Sequence, residues 1–147
     1  MAEIESITGL KELQKALAEL PQGIARNVLR GAVNAGATVI KTEAKARAPA
    51  LTGVLKRALY QKQIREKSNL LLQTFFVGVR QGKSSKKTKK GVIDAFYARF
   101  VEFGTSKMPA RPFMRPAFES KKEAAVQAIK DYLTTRIPNE IEKASQK

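Results

Sequence analysis

No proline interrupts the chain from Gln22 to Ala48, and over that stretch Ile24, Val28, Ala32, Ala35 and Val39 recur at helical spacing. The pattern predicts one long helix from Pro21 to Ala48, ended by Pro49, because a residue before proline avoids the helical region. The helix is rich in small residues: Gly31, Ala32, Ala35, Gly36 and Ala37. A glycine inside a helix costs roughly 1 kcal/mol relative to alanine. Gly31 and Gly36 therefore call for the close approach of a neighbouring element. The opposite face carries Arg26, Arg30, Lys41, Lys45 and Arg47.

The flanking segments read as smaller pieces around this helix. Thr8 is placed to cap a first helix in which Leu10, Leu13, Leu17 and Leu20 form a narrow apolar stripe. Ala48-Pro49-Ala50-Leu51-Thr52-Gly53 is a turn-rich joint. Leu55–Lys67 and Leu70–Val79 then read as two strands of a hairpin with Lys67-Ser68-Asn69 between them. The second strand is apolar on both faces, which predicts a central position. Two strands alone are marginal, so a third strand or a partner chain is expected beside them. Asp94 is placed to cap a short helix on which Phe96, Phe100 and Phe103 share a face, with Gly104 at its stop. Residues 104–116 read as an extended loop. Pro116 opens a last helix, Ala117 to Arg136, with an apolar face of Phe118, Ala125, Ala128, Ile129, Tyr132 and Leu133. Pro138 is expected to close it. The fold class is α+β: a single domain over 1–138, with a small antiparallel sheet packed with a long helix, a short helix and a C-terminal helix. A flexible basic loop at 80–93 and a polar tail at 139–147 complete the organisation.

Composition narrows the chemistry. The 147 residues hold 28 Lys and Arg against 13 Asp and Glu, a formal charge of +15, and no His, Cys or Trp. Disulfides, thiol nucleophiles and Cys-type zinc sites are excluded, and so are the commonest general base and metal ligand. Residues 1–20 carry a net −2, residues 21–67 a net +8 and residues 68–93 a net +6, so the positive field belongs to the first half and one loop. A polyanionic or acidic partner is the natural complement. No stretch approaches the ~20 apolar residues of a membrane span, and the acidic start, Met1 to Glu5, is unlike a signal peptide, so the protein is expected to stay in the cytosol where it is made.

No phosphate-binding glycine loop or nucleophile elbow appears. Glu43, Glu66, Glu102 and Glu119 do not cluster as a metal-dependent nuclease would require, and Glu102, near Arg99 and Arg111, reads as an ion pair. The expectation is no enzyme, no cofactor and no metal. Lys83, Lys86, Lys87, Lys89 and Lys90 form either a basic finger for DNA backbone or an acidic partner, or a merely solvated loop. No aromatic interleaves them, so base stacking is not indicated there. The segment from Tyr97 to Phe118 is dense in aromatics and prolines. Pro109, Pro112 and Pro116 hold it in one path, and Phe113 and Met114 then either fill the core or dock on a neighbour.

Tyr97-Ala98-Arg99-Phe100-Val101-Glu102-Phe103-Gly104-Thr105, followed by Ala110-Arg111-Pro112-Phe113-Met114-Arg115-Pro116-Ala117-Phe118, resembles the signature of a family of tailed-bacteriophage neck, minor tail or tail-completion proteins. Ile7-Thr8-Gly9-Leu10, the joint at 48–55 and Val77-Gly78-Val79 extend the likeness over about residues 4–133. The resemblance implies a virion structural protein that completes the tail or joins it to the DNA-filled head. It would act as a subunit of a homo-oligomeric, sixfold ring around the DNA channel, beside head-closure and tail proteins. It implies a place at the neck, reached from the host cytoplasm during assembly, and contact with phage DNA without sequence preference. Tyr97, Glu102, Gly104, Thr105, Arg111, Pro112, Phe113 and Pro116 carry over as architectural or interface residues, with none catalytic. A tail-terminator or head-closure ring is the neighbouring role. A non-specific nucleic-acid-binding protein is the alternative of another class.

Overall fold

A computed structural model describes residues 9–49, 53–70, 72–81 and 95–146. Helix α1 spans Leu10–Glu19 and α2 spans Gln22–Arg47. A short α3, Val54–Ala58, leads into β1, Leu59–Gln63; a 3-10 turn at Arg65–Lys67 precedes β2, Phe75–Val79. Helices α4, Ala98–Phe103, and α5, Met114–Ser145, complete the described chain. The lysines at 83, 86, 87, 89 and 90 lie outside the described residues, as do Thr8 and Asp94. The first residue described before α1 is Gly9, at φ 92°, whose carbonyl accepts from Leu13 N–H at 3.0 Å.

The scaffold is the antiparallel pair α2 and α5. One core cluster joins Ala44 and Ala48 at the end of α2 to Phe113 and Ala117 at the start of α5. The other joins Leu20, Val28 and Ala32 to Leu133 and Ile137, with Leu13 and Leu17 of α1 laid over it. The expected reason for the two glycines holds. A Cβ on Gly31 would land in the Tyr132 ring and hydroxyl, and one on Gly36 would lie 2.9 Å from the Ile129 side chain and 3.1 Å from the Ala125 carbonyl.

Several sequence expectations are corrected. Val54–Ala58 is helical, not strand, because Gly53 at φ 67° starts a turn, with Arg57 N–H bonded to its carbonyl at 3.2 Å. Leu55 and Ala58, three apart, then bury one face. Both strands are five residues long, and Leu70 and Leu72 to Thr74 are not strand. There, polar side chains capture the backbone instead: Thr74 N–H donates to Ser68 Oγ at 3.0 Å and Leu72 N–H to Asn69 Oδ1 at 2.7 Å. The sheet is a two-stranded antiparallel hairpin in which Leu59 faces Val79 and Gln63 faces Phe75, so among the described residues β2 is an edge, not a centre. Gln61 ties it to α2, its amide donating to Asn34 Oδ1 at 2.6 Å and Thr38 Oγ1 at 3.0 Å.

The last helix starts earlier and ends later than expected. Pro138 does not close α5, which runs on to Ser145, so most of the expected polar tail is helix. Ile137 is buried beside the proline, and Glu140 beyond it pairs with Arg136 at 3.2 Å and Lys143 at 3.7 Å, holding the turn across the lost hydrogen bond. Phe118 is not on the buried face: it is exposed, at the rim of an apolar groove of about 440 Å³ shared with Val77 and Ile129. Ala117, Ala125, Leu133 and Ile137 face inward instead.

Replacing Gly36 by alanine tests the packing of the scaffold. Helix propensity alone would stabilise the protein by about 1 kcal/mol. The Cβ meets backbone, however, so we expect a net loss of about 1–3 kcal/mol in urea unfolding. A more stable variant would contradict the close approach.

Candidate assembly interface

Among the described residues, alanines are the commonest buried apolar side chains, at positions 32, 37, 44, 48, 58, 95, 98, 117 and 125, beside larger ones at Leu20, Val28, Leu55, Leu59, Phe113, Leu133 and Ile137. Several large apolar residues lie outside: Phe103 is 80% exposed, Phe96 64%, Phe100 47% and Met108 40%. These four belong to α4, the turn before it and the loop after it. Sequence spacing placed Phe96, Phe100 and Phe103 on one face of a short helix; the helix begins only at Ala98, so Phe96 precedes it, and all three rings are exposed. Ala95 and Ala98 face inward, because the space against Ala44, Leu55 and Phe113 admits only small groups.

The elbow that carries these rings is held by a chain of backbone bonds. Gly104, at φ 75°, caps α4, its N–H bonded to Phe100 O at 2.9 Å. A Cβ there would also sit 2.7 Å from the Ala110 nitrogen, so the position is closed to side chains. Thr105 and Met108 exchange backbone bonds of 2.9 and 3.3 Å across a tight turn, and Thr105 Oγ1 accepts from Lys107 N–H at 3.3 Å. Arg111 N–H donates to Val101 O at 2.7 Å. Tyr97, Phe100, Val101, Thr105 and Met108 wall a shallow apolar groove of about 350 Å³ with Pro49 and Leu55.

Glu102 locks the elbow to α5. Its Oε2 accepts from the N–H of Phe113 at 2.8 Å and of Met114 at 3.1 Å, and its Oε1 from the N–H of Arg115 at 3.1 Å. A helix leaves its first four N–H groups without intrahelical partners. Here three are taken by one carboxylate and the fourth is removed, because residue 116 is proline. Ala117 N–H then begins the ladder, bonded to Phe113 O at 3.3 Å. The negative charge also sits at the positive end of a 32-residue helix. The ion pair expected with Arg99 or Arg111 is therefore corrected: among the described residues Glu102 is in no salt bridge, and its partners are backbone amides 11 to 13 residues on. The capping-box spacing could not reveal this, because the capping residue lies in another element.

Of the motif residues, Tyr97 and Phe113 pack in the core cluster around Leu55, Phe113 almost fully buried; Arg111 and Pro112 are exposed, and Pro116 lies in the first turn of α5. The question left open between core and docking is answered for both side chains: Phe113 fills the core and Met114 packs against it. Among the described residues no three acidic side chains converge as a metal site, and no helix is long and apolar enough to cross a membrane.

Residues 11–104 match the family model described as "Bacteriophage HK97-gp10, putative tail-component". The match covers the first half of the motif block, to Gly104, and stops before Ala110–Phe118. No curated protein and no solved structure matches the chain.

Removing the carboxylate leaves three amides at the start of α5 without partners. Glu102→Ala should lower stability by about 1–3 kcal/mol. Arg99→Ala and Arg111→Ala, at exposed side chains, should each change it by less than about 0.5 kcal/mol. Comparable losses from the three variants in chemical denaturation would restore the ion-pair reading.

Proposed function

The chain belongs to the HK97-gp10-like family of bacteriophage tail components, and from that premise we propose that it is a structural subunit that completes the tail or joins it to the DNA-filled head. In this reading it is a non-catalytic subunit of a homo-oligomeric ring, of sixfold symmetry, through which phage DNA passes. Its neighbours are the head-closure and tail proteins. The observation that carries the reading is that Phe96, Phe100, Phe103 and Met108 stand exposed together on an elbow held by backbone bonds. Exposed apolar patches of this kind mark association surfaces. Covering a phenylalanine is worth about 1.5–3 kcal/mol, so three rings make a substantial contact if a neighbour fits them. Each protomer of a ring meets the next head to tail, with two different patches in contact.

Charge sets the condition for assembly. Copies of a +15 chain repel one another when brought into a ring. DNA in the channel, or an acidic neighbour beneath the ring, relieves that repulsion. The arginines and lysines of this chain then face the channel or that neighbour.

The isolated protein should be monomeric or weakly associated at low salt in sedimentation, and should assemble on its partner. A tight DNA-free hexamer at low ionic strength would contradict this account of the charge. Particles made without the protein should accumulate as separate full heads and finished tails in electron micrographs. Phe103→Ser should leave thermal unfolding nearly unchanged and reproduce that defect. Normal virions from a Phe96→Ser/Phe103→Ser double variant would remove the elbow from the interface.

A further inference from the structure

The hairpin has a second face. The Gln61 side chain reaches α2, so by strand alternation Tyr60 and Lys62 project from the opposite side of β1. Gly78 lies directly across from Tyr60, and Phe76 from Lys62. On this outer face the Phe76 ring lies over Gly78, where a Cβ would collide with it, so glycine is what lets the ring lie against the strand. Phe76 is 47% exposed. Its centroid is 6.0 Å from that of Tyr60, and the Arg80 guanidinium lies 5.7 Å from the Tyr60 centroid. Lys62, Arg65 and Arg80 are exposed around the rings and are in no salt bridge among the described residues.

We propose that this outer face of the hairpin, with Phe76 and the Arg80–Tyr60 stack as a platform and Lys62 and Arg65 at its border, binds single-stranded nucleic acid without sequence preference. An open ring and a guanidinium plane both take the flat face of an unstacked base, and any base presents such a face. The neighbouring cations meet the phosphates that follow the bases. The chain's own charge supports a nucleic acid over an apolar protein surface, since the five-lysine run begins three residues beyond Arg80. Duplex DNA offers phosphates but no free base faces, so it uses the cations and leaves Phe76 idle. The absence of aromatics among the loop lysines does not count against stacking here, because the rings come from the strands.

The test is fluorescence anisotropy of the full chain with a labelled 20-mer of thymidine and with a duplex of equal length, across a range of salt. Phe76→Ala should weaken single-strand binding about tenfold and duplex binding less than twofold. Lys62→Gln and Arg65→Gln should each reduce the single-strand log–log salt slope by about 0.7. Repeating Phe76→Ala in a variant with the five loop lysines changed to glutamine keeps the loop from masking the loss. Unchanged single-strand affinity in both backgrounds would overturn the proposal, as would equal losses for single strand and duplex. A Phe76→Ala protein that binds both normally but changes its sedimentation would assign the face to a protein contact, and would equally overturn it. None of these readouts depends on the protein's place in the tail, so their failure would leave the assembly reading standing.

Discussion

One carboxylate joins the two halves of the elbow. Glu102 sits on α4 and satisfies the first three amides of α5, with Pro116 removing the fourth donor. The start of α5 depends on that junction. It orients Phe113 into the core, lets Ala117 start the helical ladder, and fixes the angle from which α5 descends along α2. A cap supplied from within the loop would define the helix start alone. A cap supplied by α4 also defines where α4 lies, and so where its aromatic side chains point.

The long helix pair gives that junction something rigid to act on. Gly31 and Gly36 let α5 come close enough for Tyr132 and Ile129 to pack directly on the α2 backbone. Buried alanines along both helices keep the separation small but contribute little apolar area each. The two helices thus pack closely, while Phe96, Phe100, Phe103 and Phe118 remain exposed.

The sequence made some of this legible and hid the rest for physical reasons. Helix α2 could be read because its length, small residues and bounding prolines all agree. The purpose of its glycines followed from propensity alone. The strands were over-extended because apolar runs look alike whether they pair or turn, and the bonds that Asn69 and Ser68 make to the backbone of Leu72 and Thr74 compete with the ladder. Pro138 was read as a stop, but tertiary burial of Ile137 and the ion pairs at Glu140 carry the helix through it. At the candidate interface, the residues Phe96, Phe100 and Phe103 were found and their direction was not. Hydrophobicity predicts that a ring seeks cover without saying whether its own chain supplies it. Glu102 was singled out for the wrong partner, since arginines nearby in sequence are visible and amides across a loop are not.

The claim that Glu102 holds the elbow by its hydrogen bonds to α5 can be read amide by amide. Hydrogen exchange in the native protein should find the amides of Phe113, Met114 and Arg115 protected. In Glu102→Ala these three should exchange much faster, while amides around Ala125–Leu133 keep most of their protection. Equal exchange at the three amides with and without the carboxylate would contradict the account.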